Sequence, residues 1–251
     1  MRYHNYRTGT YPIVQHATGK NGRAGFWAVR TQEVLRDLAA RSFAPSDPEL
    51  SYQIITWSTS DRATILEQCL DLMNVDYHVL REPAAGWHNI HKPYLALEYL
   101  RGLDVPYVIA LDAFDVLVTE HPDEIMRRYL EYFPGCRMLF NAAANEWPRE
   151  SAEYLAESRE VENSFGLRNR YLNAGVWVGE REFVISILER LIENVERPDW
   201  LRRFRHDEQP VMRYTVFPEF YPDVDLDRQC VIFQHMESGK TDLRPVEVAE
   251  E

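Results

Sequence analysis

Apolar and polar positions along this chain change their period several times. YQIITWS (52–58), VDYHVL (75–80), PYVIALD (106–112), CRMLFN (136–141), YLNAGVWVG (171–179) and QCVIFQ (229–234) are short runs rich in β-branched and aromatic residues. Each has the length and composition of a buried strand. Between them the apolar positions fall three and four apart. Ile65, Leu66, Cys69, Leu70 and Met73 share one face of a predicted helix over 63–73, and a second helix is predicted from Pro93 to Leu103. Ile125, Met126, Tyr129, Leu130 and Phe133 form one face of the next, ended by Pro134-Gly135. Val184, Leu188, Leu191, Ile192 and Val195 form the inner stripe of a helix that stops before Pro198. This strand–helix–strand alternation predicts an α/β fold on a mostly parallel sheet. Ligands of such sheets sit beyond the carboxyl ends of the strands, which directs attention to His16, Asp112, Asn141 and Gly179.

Ahead of this body, TYPIVQH (10–16) reads as a short strand, a Gly-rich loop follows, and 28–40 reads as a helix. The linker-like SFAPSD (42–47) sets off an arm, residues 1–50, from a core of 51–240. The charged residues 241–251 are expected to fray. A chain of 251 residues, 45% hydrophobic and 27% charged, has ordinary globular composition and buries a core without staples. No apolar run reaches the ~18 residues of a membrane helix, and MRYHNYRTGTYP lacks the apolar stretch of a signal peptide. The net charge of −12 repels a phosphate backbone and argues against nucleic acid as partner. An anionic small molecule would need a local cation. Cys69, Cys136 and Cys230 are far apart, in apolar stretches and without metal spacing. Reduced, buried thiols and a cytoplasmic location are expected.

The sharpest chemical feature is YVIALDAFDVLV (107–118). A hydrophobic strand delivers Asp112 to its end, and Asp115 follows three residues later. Two carboxylates about 4 Å apart repel by ~4 kcal/mol at an effective dielectric near 20. Sharing a proton or binding a hard divalent ion such as Mg²⁺ or Mn²⁺ relieves this. A phosphohydrolase of the haloacid dehalogenase type also begins with a strand ending in two aspartates, but two residues apart, so it is only the alternative. Weaker features are Asn173-Ala-Gly175 in the 171–179 strand, the acidic cluster His206-Asp207-Glu208-Gln209, and the strand-end His16 followed by Gly19 and Lys20 as phosphate contacts. His88 and His91 read as loop and helix-cap residues. Trp147 and Trp200 read as core packing, with an acceptor groove as the less favoured role.

The order of these motifs resembles metal-dependent glycosyltransferases of the GT-A fold, and most closely the glycosyltransferase domain of multifunctional procollagen lysyl hydroxylases with their viral and bacterial relatives. Asp112-Ala-Phe-Asp115-Val116 resembles the family's D-[AS]-Y-D-V segment. Leu172 to Gly179 resembles its L-[NG]-S-G-G-F-I-G segment, Asp207-Glu208-Gln209 its D-x-D-Q segment, and Leu226 to Gln234 its L-D-x-x-C-x-I-F-Q strand. The resemblance implies a single GT-A domain that moves a hexose from a UDP-sugar to a hydroxyl of a glycan, peptide or small-molecule acceptor, with retention. It implies that Asp112 and Asp115 hold Mn²⁺ or Mg²⁺. Trp87 and Phe114 would lie at the uracil, with Phe114 replacing the family's Tyr. Lys92 would reach the phosphates, Thr56 would lie on the donor side, and Asn173 and Gly175 would border the sugar. Asp207 or Glu208 would hydrogen-bond its hydroxyls or sit near the anomeric centre. A non-catalytic sugar-nucleotide-binding relative is the other alternative. The family's third metal ligand is a His in a strand after I-F-Q, whereas only 17 residues follow Gln234 here. The strand and loop at 12–20 are therefore expected to replace it by permutation, with His16 as third ligand and His235 as second choice, beside Lys240.

Overall fold

The computed structural model describes residues 2–18, 25–148, 156–164, 166–195, 204, 206–236 and 242–246. Its centre is a six-stranded sheet in the order β4-β3-β5-β8-β7-β9. The strands are β3 (Tyr52–Ser58), β4 (Tyr77–Arg81), β5 (Tyr107–Asp112), β7 (Met138–Ala143), β8 (Tyr171–Glu180) and β9 (Val224–Asp227). The β3/β4, β3/β5 and β7/β9 pairs are parallel, and β8 runs antiparallel to both its neighbours. The α/β reading with a mostly parallel sheet therefore holds.

Helices cover both faces because each strand alternates its apolar side chains between two cores. One core holds Ile54, Ile109, Leu111, Val176 and Val178 against α1 (Gly25–Ala39), α2 (Ile65–Leu72) and α4 (Asp123–Tyr132). The other holds Ile55, Trp57, Val108, Ala110 and Trp177 against α3 (His91–Arg101) and α6 (Arg181–Val195). A short helix, α5, spans Ala156–Asn163. Local chemistry sets the helix ends. Thr64 and Glu67 form a reciprocal capping box at the start of α2, and Gly135, at φ 86°, turns the chain after α4. On α4, Leu130 is exposed, so the buried stripe is narrower than the periodicity predicts.

The arm is built into this body. A three-stranded sheet has the order β10-β2-β6, from β2 (Val14–His16), β6 (Val116–Val118) and β10 (Phe233–His235). The β2 strand pairs parallel with β10 and antiparallel with β6, which puts His16 opposite both Val116 and His235. The predicted strands 10–16 and 229–234 are shorter than expected for physical reasons. Pro12 has no N–H to give a ladder. Cys230 turns at φ 54°, and the buried Asp227 carboxylate takes the N–H groups of Val231, Ile232 and Phe233 at 2.7–2.9 Å. The 42–47 segment is tied down too, since Asp123 accepts from the N–H of Asp47 at 2.8 Å. The tail expected to fray carries a strand, β11 (Leu243–Val246), paired antiparallel with β1 (Arg2–Asn5). Beside this pair, Asp242 receives Arg7 at 2.6 Å and Arg168 at 2.7 Å.

Candidate active site

The carboxyl end of β5, the β2 strand and the start of a helical segment at 208 converge on one cavity of about 630 Å³. Its lining includes His16, Trp87, Lys92, Asp112, Phe114, Asp115, Asn173, Gly175, Asp207, Glu208 and His235. Residues scattered over the sequence meet here because strand ends gather at one edge of the sheet.

His16 is fully buried. Its Nε2 lies 3.4 Å from Asp115 Oδ1 and 3.7 Å from Asp112 Oδ2, and neither ring nitrogen has a hydrogen-bond partner. Burial alone would lower the His16 pKa, but the Asp115 and Asp112 carboxylates outweigh it and raise it. The three residues offer ligand atoms all within 4.8 Å of one another. An orphaned buried imidazole beside two carboxylates is a donor set that suits Mn²⁺, which takes both oxygen and imidazole ligands. His235 is turned to another task. Its Nε2 pairs with Thr18 Oγ1 at 3.0 Å, and burial and the neighbouring His16 lower its pKa to about 3. Its ring stands edge-on to that of His16, with centres 6.2 Å apart.

Gly175 explains how so much fits. A methyl group there would overlap His16 Cε1 and sit 2.6 Å from Asp112 Oδ2 and 2.9 Å from His16 Nε2. The sheet bends to create this approach. Trp177 on β8 faces Phe140 on β7, yet Asn173 faces Asn141, so Ala174 to Val176 bulge out between them. Gln209 anchors the bulge. Its Oε1 accepts from Ala174 N at 3.1 Å and Asn173 Nδ2 at 3.3 Å, while its Nε2 donates to Trp147 O at 3.1 Å.

On the opposite wall, Lys92 Nζ lies 2.7 Å from Asp112 Oδ1 and 3.4 Å from Glu208 Oε1. Burial disfavours its charge, but Asp112 and Glu208 hold its pKa above the usual lysine value. Burial pushes the Glu208 carboxyl up to about 7, against the pull of Lys92 and with the repulsion of Asp207 and Asp112. Asp207 caps the helical segment, accepting from Gln209 N at 3.2 Å. Phe114 is half exposed at the mouth.

Most residues singled out in the sequence thus meet in this cavity. Thr56 does not: it is fully buried within β3, and Trp57 and Thr59 line the cavity instead. Alternation along β3 points its neighbours, not Thr56, toward the site. Gly19, Lys20, Lys240 and Trp200 lie outside the described residues. Trp147, expected in the core, is 63% exposed and lines the cavity. Sequence reasoning also missed Thr18, Asn89 and Asn145 in the lining. Only the polar residues beside His16 and Trp87 signalled the first two. Arg213 was missed as well. Fully buried in a π-helical turn, Met212–Val216, it donates to Glu162 Oε1 at 2.6 Å, Glu146 Oε1 at 3.0 Å and Pro148 O at 2.9 Å, bracing the loop that carries Trp147.

The cavity gathers a carboxylate–imidazole cluster and a buried lysine at the strand ends, the make-up of a candidate catalytic site. Residues 94–250 match the family described as PLOD GT domain, and the chain belongs to that family of glycosyltransferase domains. This membership sets aside the phosphohydrolase reading of Asp112. Among curated relatives, an uncharacterised protein, R699, of Acanthamoeba polyphaga mimivirus is 23% identical over 65% of this chain and 32% of its own length. A procollagen-lysine,2-oxoglutarate 5-dioxygenase of Drosophila melanogaster is 27% identical over 59% of this chain and 20% of its own length. The chain therefore spans about a third and a fifth of these relatives. Among solved structures, glucosyl-3-phosphoglycerate synthase of Mycobacterium tuberculosis, in complex with Mn²⁺, UDP and phosphoglyceric acid, aligns over 86% of this chain and 75% of its own, at 13% identity and a TM-score of 0.35. A likeness that distant adds nothing to the assignment.

Proposed function

We propose that this chain transfers a hexosyl group from a UDP-sugar to a hydroxyl of a glycan, peptide or small-molecule acceptor, with retention and with Mn²⁺ or Mg²⁺. The meeting of His16, Asp112 and Asp115 beside Lys92, in a member of a glycosyltransferase family, carries this reading. His16, Asp112 and Asp115 would hold the ion. Bound there, a divalent ion supplies Lewis-acid stabilisation of the charge that gathers on the departing diphosphate. It also reverses the local field of a protein whose net charge is −12.

The chain's own groups do the rest. Lys92, held between Asp112 and Glu208, places a fixed positive charge where the diphosphate develops its charge. Phe114 and Trp87 offer rings to the base at the cavity mouth. Asn173, held by Gln209, and the carboxyl groups of Asp207 and Glu208 would face the sugar, accept hydrogen bonds from its hydroxyls and steady an oxocarbenium-like centre. Gly175 leaves the space beside the carboxylates open.

Thermal melting with UDP, with Mn²⁺ and with both tests the donor site. Ligands of the folded state stabilise by ~2.7 kcal/mol at a hundred times their dissociation constant. A large upward shift is expected only with both together, and it should vanish in Asp115→Ala. No shift with either or both sinks the UDP-sugar reading. A shift without turnover of any UDP-sugar points to a non-catalytic binding relative.

A further inference from the structure

A second group of metal-ligating side chains stands at the rim of the cavity. His88 and His206 lie with ring centres 4.1 Å apart, tilted by 34°. His88 and His91 are 5.8 Å apart and nearly perpendicular. Two backbone hydrogen bonds fix this meeting: His91 N donates to His88 O at 2.9 Å, and Ile90 N donates to His206 O at 3.3 Å. The first is a tight turn that brings two histidines three residues apart to one side of the start of α3. The second ties that turn to the residue just before Asp207.

Glu82 adds an observation of a different kind. Its Oε2 lies 3.0 Å from His91 Nδ1. A carboxylate at Nδ1 keeps the proton there and leaves the Nε2 lone pair available to an ion. This is the outer-shell arrangement of metal-bound histidine. Three imidazoles on one tetrahedral ion, with metal–nitrogen bonds of 2.0–2.1 Å, place ring centres about 5 Å apart. The two separations from His88 bracket that value, and His91 and His206 would be brought to the ion on either side of it. Among the described residues only His16, Asp112 and Asp115 already have ligand atoms within 4.8 Å of one another. The rim histidines close by side-chain rotation, which is cheap because His88 and His206 are exposed.

We propose that His88, His91 and His206, backed by Glu82, form a second metal site that takes a borderline transition-metal ion, Zn²⁺ in the first instance. An all-imidazole set prefers Zn²⁺, Ni²⁺ or Cu²⁺ to the hard ions that suit carboxylates. The ion cross-links two segments that both line the donor cavity, Trp87 and Asn89 on one side, Asp207 and Glu208 on the other. It therefore stiffens the cavity wall. Thiols do not compete, because burial pushes Cys69 and Cys136 up to about 12 and Cys230 well above its ordinary value.

The test uses the untagged full chain carrying Asp112→Asn and Asp115→Asn, which disables the carboxylate cluster, with folding confirmed by circular dichroism. Calorimetric titration with Zn²⁺ is expected to show one equivalent bound, and Co²⁺ to show the visible bands of a tetrahedral site. Both signals should be lost on adding His88→Ala or His206→Ala. Glu82→Gln should weaken Zn²⁺ binding about 10- to 100-fold. His78→Ala, whose ring stacks on Tyr99 at 4.0 Å away from the cluster, should change nothing. The proposal is overturned by an absence of Zn²⁺ binding, by stoichiometry that survives both rim histidine substitutions, or by displacement of Zn²⁺ by Mn²⁺ at equal concentration.

Discussion

At the scale of single residues, the site depends on a side chain that is not there. Gly175 sits where any Cβ would enter the space of the His16 ring and the Asp112 carboxylate, so those side chains must move out of their present positions. Gly175→Ala is expected to leave the fold intact and to abolish the joint UDP–Mn²⁺ thermal shift. A variant that melts normally and still shows the full shift would contradict this account of the glycine. The two histidines differ in role although they are partners in register. His16 faces carboxylates and is pulled toward its charged form, whereas His235 faces a hydroxyl and another imidazole and is pushed toward neutrality. Burial disfavours the charged form of both, so the neighbours set the difference in sign.

At the scale of elements, the 208–220 segment joins chemistry to stability. Its first residues, Glu208 and Gln209, reach the cavity, and its π-helical turn aims Arg213 into a buried cluster with Glu162 and Glu146. Removing one partner of a buried ion pair leaves the other charge uncompensated and costs about 3–5 kcal/mol. Arg213→Ala is therefore expected to lower the denaturant midpoint sharply. Arg213→Met combined with Glu162→Leu should recover a large part, because it removes the two fully buried charges and leaves the more exposed Glu146 its contact with Arg159. If the single and double variants unfold at the same midpoint, the cost comes from the lost contacts to Pro148 and Tyr214 instead. Either way the loop that carries Trp147 loses its brace, so donor binding should weaken in both.

At the scale of the whole molecule, net charge and buried histidines set how stability follows pH. In the metal-free protein the folded-state value of His235 is about 3, against 6.5 in the unfolded chain. Between those values the unfolded chain binds a proton that the folded chain refuses. Stability from His235 is therefore complete above about pH 6.5 and drains as pH falls toward 3, by at most about 1.4 kcal/mol per pH unit. His16 works the other way. Its raised value stabilises below pH 6.5 and is lost as pH climbs through the folded-state value. Denaturation between pH 4 and 6.5 should thus show a steep acid limb that His235→Gln flattens. An unchanged slope in that variant would assign the limb to the many carboxylates instead. Closure of the arm matters on this scale also, since β1 pairs with β11 and β2 is the middle strand that carries His16 into the site.

Much of this was legible in the sequence because it is local. A strand's period, its abrupt end at Asp112 and the turn to Asp115 lie within one twelve-residue stretch, so the α/β fold and the carboxylate pair follow from nearest neighbours along the chain. Asn173 and the Asp207-Glu208 pair were weaker local signals, and Lys92 entered only through the family resemblance. Three matters were decided only by tertiary structure. Whether His16 or His235 faces the carboxylates depends on β2 lying between β6 and β10, a pairing of segments more than a hundred residues apart. Whether Thr56 or Trp57 lines the cavity depends on which face of β3 the site occupies, and a one-residue step reverses it. Whether Trp147 packs inside or stands at the cavity depends on Gln209 and Arg213 holding its loop from a distant helix. Short-range chemistry specifies which groups are available, but only the register between remote strands and helices specifies which of them meet, because hydrogen-bond ladders and packed faces act across space without regard to sequence distance.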